Sequence, residues 1–322
     1  MFSNIGQPLI SIAMCTYNGE QFLAAQIDSI LNQTWKNLEL VIVDDCSTDG
    51  TVAIAEERGQ KDNRVRIYKN AENLGINQNF SRALSLCQGE LIAPCDQDDI
   101  WHHDKLMRLQ HQLGNHVMAY CDSHLMNADG SPMNMRISDR LHMYQGHQPA
   151  VFAFWNCISG HAMLFKRTLL EQALPIPPIK FHDWWLAFWA ATVGEIKYVD
   201  EALVHYRQHA GGQTDISRQI KRVEASNRAD LFKERCRWFS YLANAPSRDQ
   251  AYLQILSKLY QAQSKQWLSF ELIRHLRLRS NDLLYISKKK SFFRFALKHF
   301  WGLKAKAFFS PSKYQIDRNE QA

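Results

Sequence analysis

No GxxxxGK[ST] and no GxGxxG occurs in the chain, so neither a phosphate-binding P-loop nor a dinucleotide fingerprint is present. Kinases, ATPases and dehydrogenases are thereby disfavoured. GxSxG is missing too, which counts against an α/β-hydrolase. The seven cysteines (Cys15, Cys46, Cys87, Cys95, Cys121, Cys157 and Cys236) form no CxxC pair and no zinc-finger spacing, and read as reduced, mostly buried small hydrophobes. Long apolar runs are also lacking. The most apolar stretch, residues 150–165, is broken by Asn156, Ser159, Gly160 and His161 and falls short of a membrane span. The opening MFSNIGQPLI lacks a basic segment followed by an apolar one and a cleavage site, which predicts a cytoplasmic protein with at most peripheral membrane contact.

What is present suits a folded enzyme with an extension. The 322 residues are 46% hydrophobic and 22% charged, enough apolar content for a core and too little charge for a disordered chain. The net charge of +6 is uneven, because 22 Lys and Arg face 9 Asp and Glu from residue 215 onward. A mildly acidic front thus meets a strongly basic back, for which nucleic acid and an anionic membrane surface are the two candidate partners. The segment SFFRFALKHFWGLKAKAFFS (291–310) mixes aromatics with cations as interfacial helices do, and favours the membrane; the alternative is a helix packing its aromatics onto the catalytic domain, and Gly302 weakens a continuous helix.

Strand-like and helical patterns alternate over the first hundred or so residues. LISIAM (9–14), LELVIV (38–43), VRIYKN (65–70) and ELIAPC (90–95) are apolar runs, each followed by a polar cluster and a segment with helical spacing. Such βαβ units predict a largely parallel sheet, with ligands at the carboxyl ends of its strands. Thr16 to Asn18, Asp44–Asp45 and Asp96–Gln97–Asp98 each follow directly on a strand, so all should line one edge. The middle adds strand-like VMAYC, AMLFK and EIKYV, a hairpin signal at residues 127–130 and a helix over 184–191. The expected organisation is a catalytic domain over 1–214 and a helical, basic, membrane-associating extension over 215–322.

The chemistry centres on Asp96-Gln97-Asp98-Asp99. Carboxylates at i and i+2 beside a strand end can hold a hard divalent cation such as Mn²⁺ or Mg²⁺, or they can cap the following helix. The second acidic pair, Asp44–Asp45, favours a ligand site, because facing carboxylates need a cation or donors between them. Asp183 begins the apolar helical segment WWLAFWAA, where it is either a general base or another cap.

SIAMCTYNGEQFLAAQIDSILNQTW, VIVDDCSTDGT, NLGINQNFSRAL and the DQDD quartet, in this order, resemble the family 2 glycosyltransferases, which have the A-type glycosyltransferase fold: Rossmann-like, with a mainly parallel sheet and flanking helices. HDWW (182–185) and YRQH (206–209) look like bacterial cell-surface polysaccharide members called rhamnosyltransferase-like. The resemblance implies an inverting enzyme moving one sugar from a nucleoside-diphosphate-sugar donor to a saccharide acceptor, lipid-linked and at the inner face of the plasma membrane. It further implies that Thr16, Tyr17 and Asn18 pack around the nucleoside, Asp44 accepts from the pyrimidine, Asp45 lies near the ribose, and Asp96 contacts ribose or metal-bound water. Asp98 and His209 match metal ligands, Asp183 the general base, and Trp184 and Trp185 an acceptor platform. Where the family pattern has Glu-Asp, this chain has His182-Asp183. The QxxRW motif of processive synthases is missing and no transmembrane helices follow, which predicts single additions; no nucleic-acid partner is expected. Two rivals stand beside this reading. A sugar nucleotidyltransferase would carry a Gly-rich basic loop after the first strand, which CTYNGEQ does not supply; a non-catalytic carbohydrate-binding or membrane-scaffold protein would use only the tryptophans and the tail.

Overall fold

Each of the four apolar runs forms a strand, and the spacing of Leu23, Ile27 and Ile30 folds the intervening segment into a helix that covers them. A computed structural model describes residues 6–212, 228–288 and 291–309, which divide into two units. The first comprises residues 1–147 and 156–220, the second residues 148–155 and 221–322.

In the first unit the strands are β1 (Ile10–Thr16), β2 (Leu38–Asp44), β3 (Val65–Lys69), β4 (Leu91–Cys95), β5 (Ile100–Trp101), β6 (Met118–Asn127), β7 (Pro132–Arg136), β8 (Met163–Lys166) and β9 (Ile196–Gln208). They form one sheet in the order β3-β2-β1-β4-β8-β6-β9-β5, with β7 paired to β6. The β3-β2-β1-β4 half is parallel, whereas β8 runs antiparallel to both its neighbours. The helices are α1 (Glu20–Leu31), α2 (Thr51–Lys61), α3 (Ile76–Leu86), α4 (Lys105–Leu113), α5 (Leu170–Ala173) and α6 (His182–Val193). β2 is buried at every position, as befits a parallel strand covered on both faces. The hairpin signal at Asn127 is realised as the β6–β7 turn, in which Gly130 N–H donates to the Asn127 carbonyl.

Register sets up the functional edge. Thr16 lies level with Asp44 on the next strand, and Met14 with Cys95, so the residues following β1, β2 and β4 emerge side by side. On the far side β9 runs parallel to β6 and ends at Gln208, delivering His209 to the same edge. The short β5 pairs antiparallel with β9, Ile100 opposite His205, and this draws the Asp98–Asp99 segment toward Arg207.

The second unit is helical: α7 (Arg228–Asn244), α8 (Gln250–Gln263), α9 (Phe270–Leu278), α10 (Ser280–Leu283), α11 (Phe292–Phe300) and α12 (Leu303–Phe309). The helical pattern expected from Asp215 thus begins, among the described residues, at Arg228; residues 213–227 lie outside them. Trp238, Phe239 and Tyr260 form its core, and the Trp238 indole donates to the Ala153 carbonyl at 3.1 Å, which explains why residues 148–155 belong here. Asp249 fixes that segment by accepting from Gln148 Nε2, Ala150 N–H and Arg279. The helical segment expected over 291–310, weakened at Gly302, is broken there into α11 and α12. Gly302 N–H donates to the Trp267 carbonyl, and a Cβ there would sit 1.9 Å from the Gln266 carbonyl oxygen. No described helix is long and apolar enough to cross a membrane.

Candidate active site

Three loops meet at the strand ends and are tied to one another. Gln97, the middle residue of DQD, clamps Tyr17 at both backbone groups: its Oε1 accepts from Tyr17 N–H at 2.9 Å and its Nε2 donates to the Tyr17 carbonyl at 3.1 Å. Asn18, with a positive φ of 46°, donates its N–H to Ser47 Oγ and accepts from Thr48 N–H through Oδ1. A short polar side chain suits that left-handed conformation. With its backbone held, the Tyr17 ring is left half exposed at the mouth of the site.

Asp44 and Asp45 are buried, and each is held by its own set of donors. Asp44 accepts from Thr16 Oγ1 (2.8 Å), Ser47 Oγ (2.6 Å) and Ser47 N–H (2.9 Å). Asp45 accepts from Asn70 Nδ2 (2.6 Å) and from the N–H groups of Leu74 (2.8 Å) and Gly75 (2.9 Å). Asp45 lines the cleft described below; Asp44 and the Thr16 hydroxyl it accepts from turn toward each other.

The DQDD quartet is partnered mainly by imidazoles. Asp98 Oδ2 lies 2.7 Å from His209 Nε2, across 111 residues of sequence. Asp96 Oδ2 and Asp99 Oδ2 lie 3.3 and 3.2 Å from Nδ1 of the fully buried His161, whose Nε2 is 3.0 Å from Ser123 Oγ. Asp99, with no exposure, also accepts from Arg207 N–H at 3.0 Å. It does not cap the next helix, which starts only at Lys105. Burial would raise the Asp96 carboxyl, but the hydrogen bond and charge of His161 prevail and hold it low. For Asp99 burial prevails and the acid is pushed up, helped by Asp98 and Asp96. Beneath them the buried Lys105 ammonium donates to the His161 carbonyl at 2.5 Å, and desolvation pushes its pKa down to about 7. Arg207 packs its guanidinium 4.6 Å from the Phe22 ring centre and donates to the carbonyls of Asp98 and Ala128.

Asp183 lies in the first turn of α6, two residues beyond the cap position at Phe181. Desolvation and then the nearby Asp96 charge push its pKa up to about 7, against the backbone N–H groups of Trp184 and Gly160, which favour the ionised form. The Gly160–His161 corner thus touches both Asp96 and Asp183. His182 is buried against it, stacked on Phe80 with ring centres 3.6 Å apart and with neither nitrogen hydrogen-bonded. A Cβ on Gly160 would come within 2.6 Å of His182 Nε2, so only glycine fits the corner. Burial drives the His182 pKa down to about 4, leaving a neutral ring. The two tryptophans part company. Trp185 is buried and donates its indole N–H to the Ala173 carbonyl at 2.7 Å, which makes it a packing residue; Trp184 is only half-buried, with Lys180 Nζ 5.3 Å from its ring centre.

Together these loops line a cleft of about 700 Å³, bounded among others by Tyr17, Asp45, Asp96, Asp98, Arg207 and His209. Residues 11–174, just over half of the chain, match glycosyl transferase family 2. The chain belongs to that family. Among relatives of this glycosyltransferase, it is 27% identical over 238 residues to an uncharacterized glycosyltransferase of Nostoc, covering 69% of this chain and 72% of that one. It is 33% identical over 130 residues to the putative teichuronic acid biosynthesis glycosyltransferase TuaG of Bacillus subtilis, covering 40% of this chain and 52% of TuaG. In fold it resembles S. aureus TarS in complex with UDP-GlcNAc, at a TM-score of 0.58 and 15% identity over 96% of this chain and 93% of that one. It likewise resembles a mannosyltransferase of Pyrobaculum calidifontis in complex with GDP-Man and Mn²⁺, at 0.52 and 16% identity over 95% and 82% of the two chains.

This family 2 glycosyltransferase has the A-type fold with a helical region after it. Of the residues singled out from its sequence, Tyr17, Asn18, Asp45, Asp96, Asp98 and His209 converge on one cleft with Thr16 at its edge. Sequence reasoning missed His161, Lys105 and Arg207. The available signal for His161 was a histidine inside an otherwise apolar run: such a side chain, once buried, requires polar partners.

Proposed function

We propose that the chain is an inverting transferase that moves a single sugar from a nucleoside-diphosphate-sugar donor to a saccharide acceptor in surface polysaccharide synthesis. The observation that carries this reading is the 2.7 Å approach of Asp98 to His209 in the lining of a cleft that also holds Asp96 and the half-exposed Tyr17 ring. A carboxylate and an imidazole converging this closely suit Mn²⁺, and Asp98 and Asp96 alone suit Mg²⁺ through oxygen. When bound there, the cation supplies neutralisation of the departing diphosphate. The chain's own residues do the rest. Tyr17 offers its ring face to the nucleobase, and Asp45, held by Asn70 and two backbone donors, borders the ribose. His161 fixes the Asp96 carboxylate from behind. Asp183 accepts the proton of the attacking acceptor hydroxyl; a pKa of about 7 lets it do so near neutrality. Trp184 provides the acceptor's stacking surface. The acceptor is lipid-linked, which places the enzyme peripherally on the inner face of the plasma membrane.

Thermal-shift titration with nucleoside diphosphates and their sugars, dTDP-rhamnose and UDP-hexoses included, tests the donor half, because selective ligands raise the melting temperature. Selective stabilisation that requires Mn²⁺ or Mg²⁺, followed by nucleoside diphosphate release on adding acceptor, is the expected result. Release of pyrophosphate from a nucleoside triphosphate and sugar phosphate would instead indicate a nucleotidyltransferase, and absence of any nucleotide binding a non-catalytic protein.

A further inference from the structure

The break at Gly302 changes which aromatics of the tail are free. α11 turns Phe295 and His299 inward, where they meet Phe154 and Tyr260. α12 then leaves at an angle fixed by the Gly302–Trp267 hydrogen bond and brings its own aromatics beside residues far from them in sequence. Trp267 lies 5.5 Å from Phe308, Phe308 5.2 Å from Phe309, and Phe309 6.1 Å from Trp301, ring centre to ring centre. Trp301 continues to Phe300 at 5.6 Å, and Phe300 to Phe270 at 5.0 Å. The result is an unbroken ribbon of six aromatic rings from three chain segments. Trp267, Phe270, Trp301, Phe308 and Phe309 are between 41 and 69% exposed. Contiguous exposed apolar surface of this kind marks an interaction site.

Its surroundings specify the partner. From residue 265 to 309 the chain carries 11 Lys and Arg against 2 Asp and Glu, and Lys265, Arg274, Lys298 and Lys304 are exposed. Two tryptophans with phenylalanines amid a basic field match an anionic lipid interface, where rings enter the headgroup region and cations meet lipid phosphates. A second copy of this chain fits less well, since two such basic surfaces repel. We propose that the Trp267–Phe270–Trp301–Phe308–Phe309 surface is the membrane-insertion face of the enzyme, with anionic phospholipid as its partner. This deepens the peripheral-membrane reading and rests on it: the inserting element is a composite of the 267–270 segment and the bent tail, not one helix lying flat.

The test is co-sedimentation of the full chain with vesicles of phosphatidylglycerol and phosphatidylethanolamine, and with phosphatidylcholine alone. One variant combines Trp267→Ala, Phe308→Ser and Phe309→Ser; the other combines Lys298→Glu and Lys304→Glu. Thermal melting and nucleoside diphosphate affinity, which both variants should keep, confirm that they fold. The aromatic variant is expected to lose about tenfold or more in partitioning to anionic vesicles, and the charge variant to lose binding that salt also weakens. Parental partitioning by the folded aromatic variant overturns this surface while leaving membrane association intact. No binding by the parent to either vesicle overturns membrane association with it, but not sugar transfer. A parental dimer that the aromatic variant dissociates makes the ribbon a contact between copies and also overturns the proposal.

Discussion

Two acidic pairs at neighbouring strand ends look alike in sequence and are built differently. Asp44–Asp45 is heavily partnered: six hydrogen bonds from hydroxyl, amide and backbone donors hold it, and it knits three loops together. Asp96–Asp98 has an imidazole against each carboxylate, one of them the buried His161 and the other His209 at the cleft. A carboxylate oxygen offers about two acceptor sites, so the second pair keeps more capacity for a ligand than the first, which has spent most of its own on the fold. Burial and acidity alone therefore do not distinguish a binding pair from a structural one; the supply of neutral donors does.

The largest effect expected from this difference is at Asp98. Asp98→Ala should reduce transfer by roughly 10³-fold and abolish the dependence of donor affinity on Mn²⁺, with little change in melting temperature. Calorimetric donor titration with and without metal reads the first, and a thermal melt the second. Metal-dependent donor binding that survives in Asp98→Ala would erase the contrast between the pairs.

Asp183→Asn should come next, with a loss of roughly 10²-fold or more in transfer and near-parental donor affinity, because the amide keeps the shape and removes the basicity. In the parent, kcat/KM should rise with pH through a limb at about 7, where the raised carboxyl ionises. The stability sign is opposite. The folded pKa of about 7 lies above the ordinary 3.8, so the protein holds a proton that the unfolded chain has released, and stability is lost as pH climbs between those values. Asp183→Asn never ionises and should melt at or above the parent at pH 8. A lower melting temperature there would mean that the ionised carboxylate is structurally required.

Asp44→Ala sharpens the comparison from the heavily partnered side. It leaves the Thr16 and Ser47 donors without their acceptor and should cost about 2–3 kcal/mol in denaturant unfolding. The residual activity of the folded fraction should fall less than in Asp98→Ala. If stability held while donor affinity collapsed, Asp44 would be a direct ligand contact.

The parallel half of the sheet and its acidic edge were legible because each polar cluster directly follows an apolar strand, and a parallel sheet gathers its carboxyl ends. His161 was not. It lies 65 residues beyond Asp96 within an apolar stretch, and only the antiparallel β8, inserted between β4 and β6, brings it beneath the quartet. Arg207 escaped for a similar reason, since its contacts depend on the two-residue β5 pairing with β9. In the tail Gly302 marked a weak point in the helix, but not where the chain turns after it. There Gly302 N–H donates to the Trp267 carbonyl, a long-range contact no local pattern carries.

The adjacent tryptophans repeat the contrast on the acceptor side and give the smallest expected effect. One turn of helix cannot aim neighbouring side chains the same way, since successive positions are rotated by about 100°. Trp185 therefore reaches the core, where its N–H is used by Ala173, while Trp184 keeps a partly open ring near Lys180. Trp184→Ala should raise the acceptor KM by no more than about tenfold, the scale of one stacking contact, with kcat and donor affinity little changed. Trp185→Ala should instead cost about 3–5 kcal/mol of stability through the cavity it leaves. Steady-state kinetics in acceptor, beside unfolding curves for both variants, separate the two. An unchanged acceptor KM in Trp184→Ala removes the ring from the acceptor site and shifts the search to the cleft wall around Ile76 and Phe80.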